Sequence, residues 1–104
     1  MNDKIVNKKI MKLKGKIAIV TGGARDLGRA ISVKLASEGA KVVINYYDNP
    51  EDAEETLKMV ENVGSEGVIV QGDMTKALDV KKLFDASIQK FGSKIDVLVN
   101  VVGG

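Results

Sequence analysis

Residues 21–28 read Thr-Gly-Gly-Ala-Arg-Asp-Leu-Gly, a glycine-rich turn that carries one cation and one carboxylate. A β-branched run precedes it and an apolar periodicity of helical type follows. Backbone N–H groups and the positive end of a helix therefore meet at one point, which is an anion site suited to a phosphate or pyrophosphate. Two common anion loops are excluded by side chains. A P-loop requires Lys and then Ser or Thr after its last glycine, whereas Arg29 and Ala30 follow Gly28. The turn G-x-G-x-x-G fails as written, because Gly22 and Gly23 are adjacent and position 26 is Asp.

Composition removes other chemistries. The 104 residues contain no Cys and no His, so zinc sites of the usual kind, thiol nucleophiles and a Ser-His-Asp triad are not available. No metal is expected. Asp73, Asp79 and Asp85 fall at a strand exit and at two helix positions, where solvated or capping roles are expected. Without Cys there is no disulfide framework, which suits a reducing cytoplasm. No apolar run approaches the roughly 18 residues of a membrane span, and no secretory signal is present. A cytoplasmic location is expected.

Charge is uneven. Sixteen basic and 14 acidic side chains give +2 overall, but residues 1–16 hold six lysines against Asp3. That segment lacks Arg and aromatics for base contacts or stacking, and its apolar residues are too few for a membrane-surface helix. Neither nucleic acid nor a membrane is expected as a partner. Residues 1–12 read as a basic, flexible arm, and Met11 opens a phrase, Met11–Lys16, that resembles a natural start. Residues 13–104 then form one domain.

The elements that must position the turn alternate with little slack. Ile17–Val20, Val42–Ile44, Gly67–Gln71 and Ile95–Asn100 are short runs without polar alternation, as expected of strands buried on both faces. Between them lie three helical patterns. The first carries Leu27, Ala30, Ile31, Leu35 and Ala36 on one face and ends at Gly39. The second starts at Asn49-Pro50-Glu51-Asp52, an amide cap followed by proline and two acids. It carries Ala53, Leu57 and Val60, with a Glu54–Lys58 pair, and stops at Gly64. The third spans Thr75–Phe91, with Val80, Leu83, Phe84, Ser87, Ile88 and Phe91 inward. Helical crossovers between consecutive strands predict a parallel, doubly wound α/β sheet of the Rossmann type, its N-terminal half, in the order 3-2-1-4. A ligand belongs beyond the carboxyl ends of strands one and four, where the order reverses.

What fits the turn is T-G-x-x-x-G-x-G, and on it the chain resembles the short-chain dehydrogenase/reductase family. Thr21, Gly22, Leu27 and Gly28 match. Three more phrases agree in order: Gly72-Asp73-Met74 after the third strand, Asp96-Val97-Leu98-Val99-Asn100 in the fourth, and Asn100-Val101-Val102-Gly103 leaving it. The resemblance covers residues 13–104 and is closest to the 3-oxoacyl-carrier-protein reductase-like branch. It implies an oxidoreductase that transfers hydride between a nicotinamide dinucleotide and a small carbonyl substrate. It also implies cofactor contacts from Thr21, Gly22, Arg25, Asp26, Leu27, Gly28, Asn45, Tyr46, Asp73, Met74, Asn100 and Gly103. The family's catalytic Ser, Tyr and Lys fall, by family spacing, beyond Gly104. On this reading the chain is the cofactor half of a longer enzyme, inactive alone and homo-oligomeric.

Two departures stand out. Asp26 replaces the middle glycine, a change that Asp tolerates in left-handed backbone and that lets it cap the helix. Val101 and Val102 replace Asn and Ala, which alters packing there. The resemblance also bears on cofactor choice. NAD-specific members commonly end the second strand with an acid that holds the ribose, where this chain has Ile44-Asn45-Tyr46. NADP-preferring members often carry a basic residue at the position of Arg25, able to grip a 2′-phosphate. Both favour NADP over NAD. The competing readings are a stand-alone dinucleotide-binding module without turnover and an α/β domain binding an adenosyl cofactor.

Overall fold

The computed structural model describes residues 11–101. The arm, apart from Met11 and Lys12, and the predicted contact Gly103 lie outside the described residues. The elements run β1 (Ile17–Thr21), α1 (Asp26–Ser37), β2 (Lys41–Tyr46), α2 (Pro50–Asn62), β3 (Gly67–Gln71), α3 (Ala77–Phe91) and β4 (Val97–Asn100). All strand pairs are parallel and the sheet order is β3-β2-β1-β4, as the sequence predicts. The chain therefore leaves β1 toward β3 and returns to β1's other side. Val20 is paired with Ile44 on one side and Val99 on the other, so the exits of β1, β2 and β4 lie together.

The pleat divides each strand between two cores. Ala18, Val20, Val42 and Ile44 pack with Ala36, Ala53 and Val60 beneath α1 and α2. Ile19, Val43 and Val70 face the other way, onto Leu83 of α3, with Phe84 and Phe91 alongside. Because both faces of β1 and β2 are covered, these strands need apolar residues at every position.

Helix phase differs from the sequence expectation in one instructive way. In α1 the buried positions are Gly28, Ser32 and Ala36. Ile31 and Leu35 flank that line, while Leu27 is 64% exposed and Ala30 also faces outward. Small residues take the centre because the helix starts almost in contact with the glycine turn. In α2 the buried line is Ala53, Thr56 and Val60. In α3 Ile88 is exposed rather than inward.

Several boundaries are settled by local hydrogen bonds. Asn49 caps α2, its Oδ1 accepting from Asp52 N at 3.1 Å, with Pro50 at the first helical position. The α3 helix begins at Ala77, two residues later than its pattern suggests, because Asp73 Oδ1 accepts from both the N–H and the hydroxyl of Thr75. Strand β4 begins at Val97 rather than Ile95. Asp96 is held just before it, its Oδ2 accepting from Ile17 N at 2.9 Å. The Glu54–Lys58 pair is absent among the described residues, where Lys34–Glu38 and Lys81–Asp85 supply the helical pairs.

Candidate functional site

The turn after β1 is built backbone against backbone. Gly22 has φ +62°, and Gly28 comes so near that a Cβ on it would lie 1.8 Å from the Gly22 carbonyl oxygen. Only glycine fits at that point, since the conflict is with main chain that cannot rotate away. Asp26 has φ +54°, a left-handed backbone of the kind glycine adopts freely. Left-handed backbone costs an L-residue about 1–2 kcal/mol, and Asp is among those that visit it. Asp26 does not cap the helix, contrary to expectation. Arg25 occupies the cap position with extended backbone and makes no side-chain cap bond. The leading N–H groups of α1 are thus left without a side-chain acceptor, unlike those of α2.

Three side chains clamp the turn from behind. Asn45 is buried; its Oδ1 accepts from Gly22 N at 3.1 Å, and its Nδ2 donates to the carbonyls of Val70 and Gly72, each at 3.2 Å. Gly23 N also donates to the Asn45 carbonyl at 2.9 Å. Asn45 is thereby committed to joining β1, β2 and β3 rather than facing solvent. Ser32 donates to the Gly23 carbonyl at 3.2 Å. Thr56 of α2 donates to the Ala24 carbonyl and accepts from Arg29 Nε at 2.8 Å. Sequence reading did not single out Ser32, Thr56 or Arg29. The available signal was a hydroxyl sitting in the middle of each helix's apolar line.

Beyond the turn lies a cleft of about 460 Å³, within the usual range for ligand sites. Six of the predicted contacts line it: Gly22, Arg25, Asp26, Leu27, Gly28 and Tyr46. The other described ones stand elsewhere. Thr21 donates its hydroxyl to Asn100 Oδ1 at 2.6 Å, locking β1 to β4 at paired positions. Asp73 and Met74 sit at the exit of β3, outside the cleft lining. Thr75's hydroxyl and N–H hold the Asp73 carboxyl below the usual carboxylate range. Asp96 is lowered in the same way, chiefly by the Ile17 N–H. Val101 lines the cleft and packs on the α1–α2 core, its N–H donating to Thr21 O at 3.3 Å.

The charges at the cleft are one exposed cation among carboxylates. Arg25 is 59% exposed and lies 4.0 Å from Asp52, not paired with Asp26. Arg29 is 24% exposed and is drawn into α2 by Asp52, Glu55 and Thr56.

The short chain dehydrogenase family model matches residues 16–104, which takes in the turn, all four strands and the exit of β4. The chain belongs to the short-chain dehydrogenase family. General stress protein 39 of Bacillus subtilis is 42% identical over 92 residues, covering 88% of this chain and 32% of that protein. A dehydrogenase/reductase from Sinorhizobium meliloti superposes with a TM-score of 0.85 at 34% identity, covering 89% of this chain and 36% of that one. A short chain dehydrogenase from Burkholderia cenocepacia, solved in complex with NADP, gives 0.83 at 37% identity over 88% of this chain and 37% of that one. The chain spans about a third of the length of the curated relatives it matches. Among the described residues, no helix is long and apolar enough to cross a membrane, and no cluster of acidic residues could hold a metal ion.

Proposed function

We propose that this chain is the NADP-binding part of an oxidoreductase that acts on a small carbonyl compound of the 3-oxoacyl type. The observation that carries the reading is the uncapped start of α1, seated against Gly22 and opening on the same cleft as the exposed Arg25. The donor set suits a dinucleotide. Unbonded helix N–H groups and a close-packed glycine turn receive a pyrophosphate, and a guanidinium receives a 2′-phosphate. The complex of a relative with NADP supports the same cofactor.

When bound, the reduced cofactor supplies a hydride. The residues here hold and orient it. The leading amides of α1 bind the pyrophosphate, and Arg25 binds the 2′-phosphate. Tyr46 would line the adenosine side, and Asp73 and Met74, at the β3 exit outside the cleft lining, would be the residues nearest an adenine lying toward β3. Asn45 acts from behind as a positioning residue, fixing the Gly22 amide. Thr21 and Asn100 join the strands that border the cleft. The 104 residues contain no Tyr-x-x-x-Lys phrase, so the proton-transfer step belongs to no residue described above.

Titration of the protein with NADPH and NADH tests the cofactor assignment. Arg25→Ala is expected to weaken NADPH by about tenfold to a hundredfold, the worth of roughly 1.5–3 kcal/mol of charge-assisted bonding. NADH affinity should change little. An unchanged preference in Arg25→Ala would overturn the assignment.

A further inference from the structure

Asp52 is the third residue of the Asn49-capped helix α2, lines the cleft, and is shared between two arginines. Its Oδ2 lies 4.0 Å from Arg25 Nη1 and its Oδ1 3.7 Å from Arg29 Nη2. The two cations are not equivalent. Arg29 has other anchors: Thr56 Oγ1 at 2.8 Å, the Asp52 carbonyl at 3.2 Å and Glu55 at 3.2 Å. Arg25 has Asp52 as its one ion-pair partner among the described residues, and that pair is long and mostly in water. Arg29 is therefore fixed by these anchors, whereas Arg25 meets the Asp52 carboxylate only across a long pair.

We propose that Asp52 is a specificity-determining residue that opposes capture of a 2′-phosphate by Arg25. This rests on the reading of Arg25 given above. Two effects of Asp52 compete. Holding Arg25 in place would aid a phosphate, but an exposed pair at 4.0 Å orders its side chains weakly. Against that, a carboxylate beside the same guanidinium repels an arriving dianion and must share its cation. Repulsion wins, because it acts on a doubly charged ligand inside a cleft that Asp26 and Asp48 already make acidic. Asp52 thus lowers the advantage of the phosphorylated cofactor and leaves the unphosphorylated one nearly unaffected.

The test uses adenosine 2′,5′-bisphosphate and adenosine 5′-monophosphate, which differ only in the 2′-phosphate, in calorimetric titrations of the intact protein. Asp52→Asn is nearly isosteric and keeps the backbone N–H that Asn49 caps. It should raise the affinity ratio of bisphosphate to monophosphate by about fivefold to tenfold, an effect of about 1–1.4 kcal/mol, and the gain should shrink with added salt. In an Arg25→Ala background the gain from the same change should be smaller, since only the repulsion between Asp52 and the phosphate is left to relieve and no Arg25 is left to share. A ratio lowered or unchanged by Asp52→Asn, with Arg25→Ala still reducing it in the parent, overturns the role of Asp52 alone. A parent ratio that Arg25→Ala does not alter overturns the Arg25 reading and this inference with it. Circular dichroism melts of each variant identify any that fail to fold, and Asp52→Ser then replaces Asp52→Asn.

Discussion

Gly28 and Gly22 touch through their main chains: the space a Gly28 side chain would need is occupied by the Gly22 carbonyl, 1.8 Å from an ideal Cβ. This contact sets how closely α1 approaches β1, and so where the leading amides of α1 stand. Gly28→Ala must push the helix from the strand, because neither partner is a movable side chain. A loss of about 3 kcal/mol is expected, the upper end of ordinary overpacking. Urea unfolding measures it, and NADPH titration under folded conditions should show affinity falling at least tenfold as well.

Thr56 links the turn to α2, donating to the Ala24 carbonyl while accepting from Arg29 Nε. Thr56→Val keeps the shape and removes the hydroxyl, leaving a buried carbonyl and a half-buried guanidinium short of one bond each. Destabilisation of about 1–3 kcal/mol should follow. Thr56→Ser should recover most of it. If the serine and valine variants unfold at the same urea concentration, the hydroxyl is not the clamp.

Asp96 gives the fold an acid-sensitive joint between β1 and β4. The Ile17 N–H holds its carboxyl below the ordinary value, ahead of smaller effects from Lys94 and Lys16. A carboxyl with a depressed folded pKa stabilises the fold above its unfolded pKa, roughly 3.9. That contribution is lost as pH falls through the lower folded value. The thermal midpoint of the parent should therefore exceed that of Asp96→Asn at pH 7. The gap should stay level down to about pH 5 and close progressively below about pH 4. A gap independent of pH between 7 and 3 would contradict this reading.

The outer edge of β4 is unpaired among the described residues, and Leu98 on it is 55% exposed. Ile88 of α3 is exposed as well. An uncovered edge with apolar side chains invites pairing with another chain. The isolated 104-residue polypeptide is expected to self-associate in sedimentation, with Leu98→Lys shifting it toward monomer. A monodisperse monomer at about 50 μM, well within the range where such edges associate, would argue against it.

Much of the site was legible because its signals are local. Thr21, Gly22, Leu27 and Gly28 occur at the spacing one strand–turn–helix unit demands, and Asn49-Pro50 announces a helix start by chemistry contained within four residues. Asp26 in left-handed backbone was legible for the same reason. Asn45 was not. Its place at the end of a strand suggested a ligand contact, whereas its side chain turns into the sheet to tie Gly22, Val70 and Gly72. Ser32, Arg29 and Thr56 escaped notice because each donates to a main-chain carbonyl 9 to 32 residues away.

The order of strands, the glycine turn and the family follow from sequence by itself, because periodicity, glycine spacing and short crossovers admit few other arrangements. The tertiary structure decided which polar side chains line the cleft and which tie the fold together. That division depends on distances between segments remote in the chain. Asp52 shows it most clearly: in the sequence it is an ordinary first-turn acid, and in the folded protein it lies between Arg25 and Arg29.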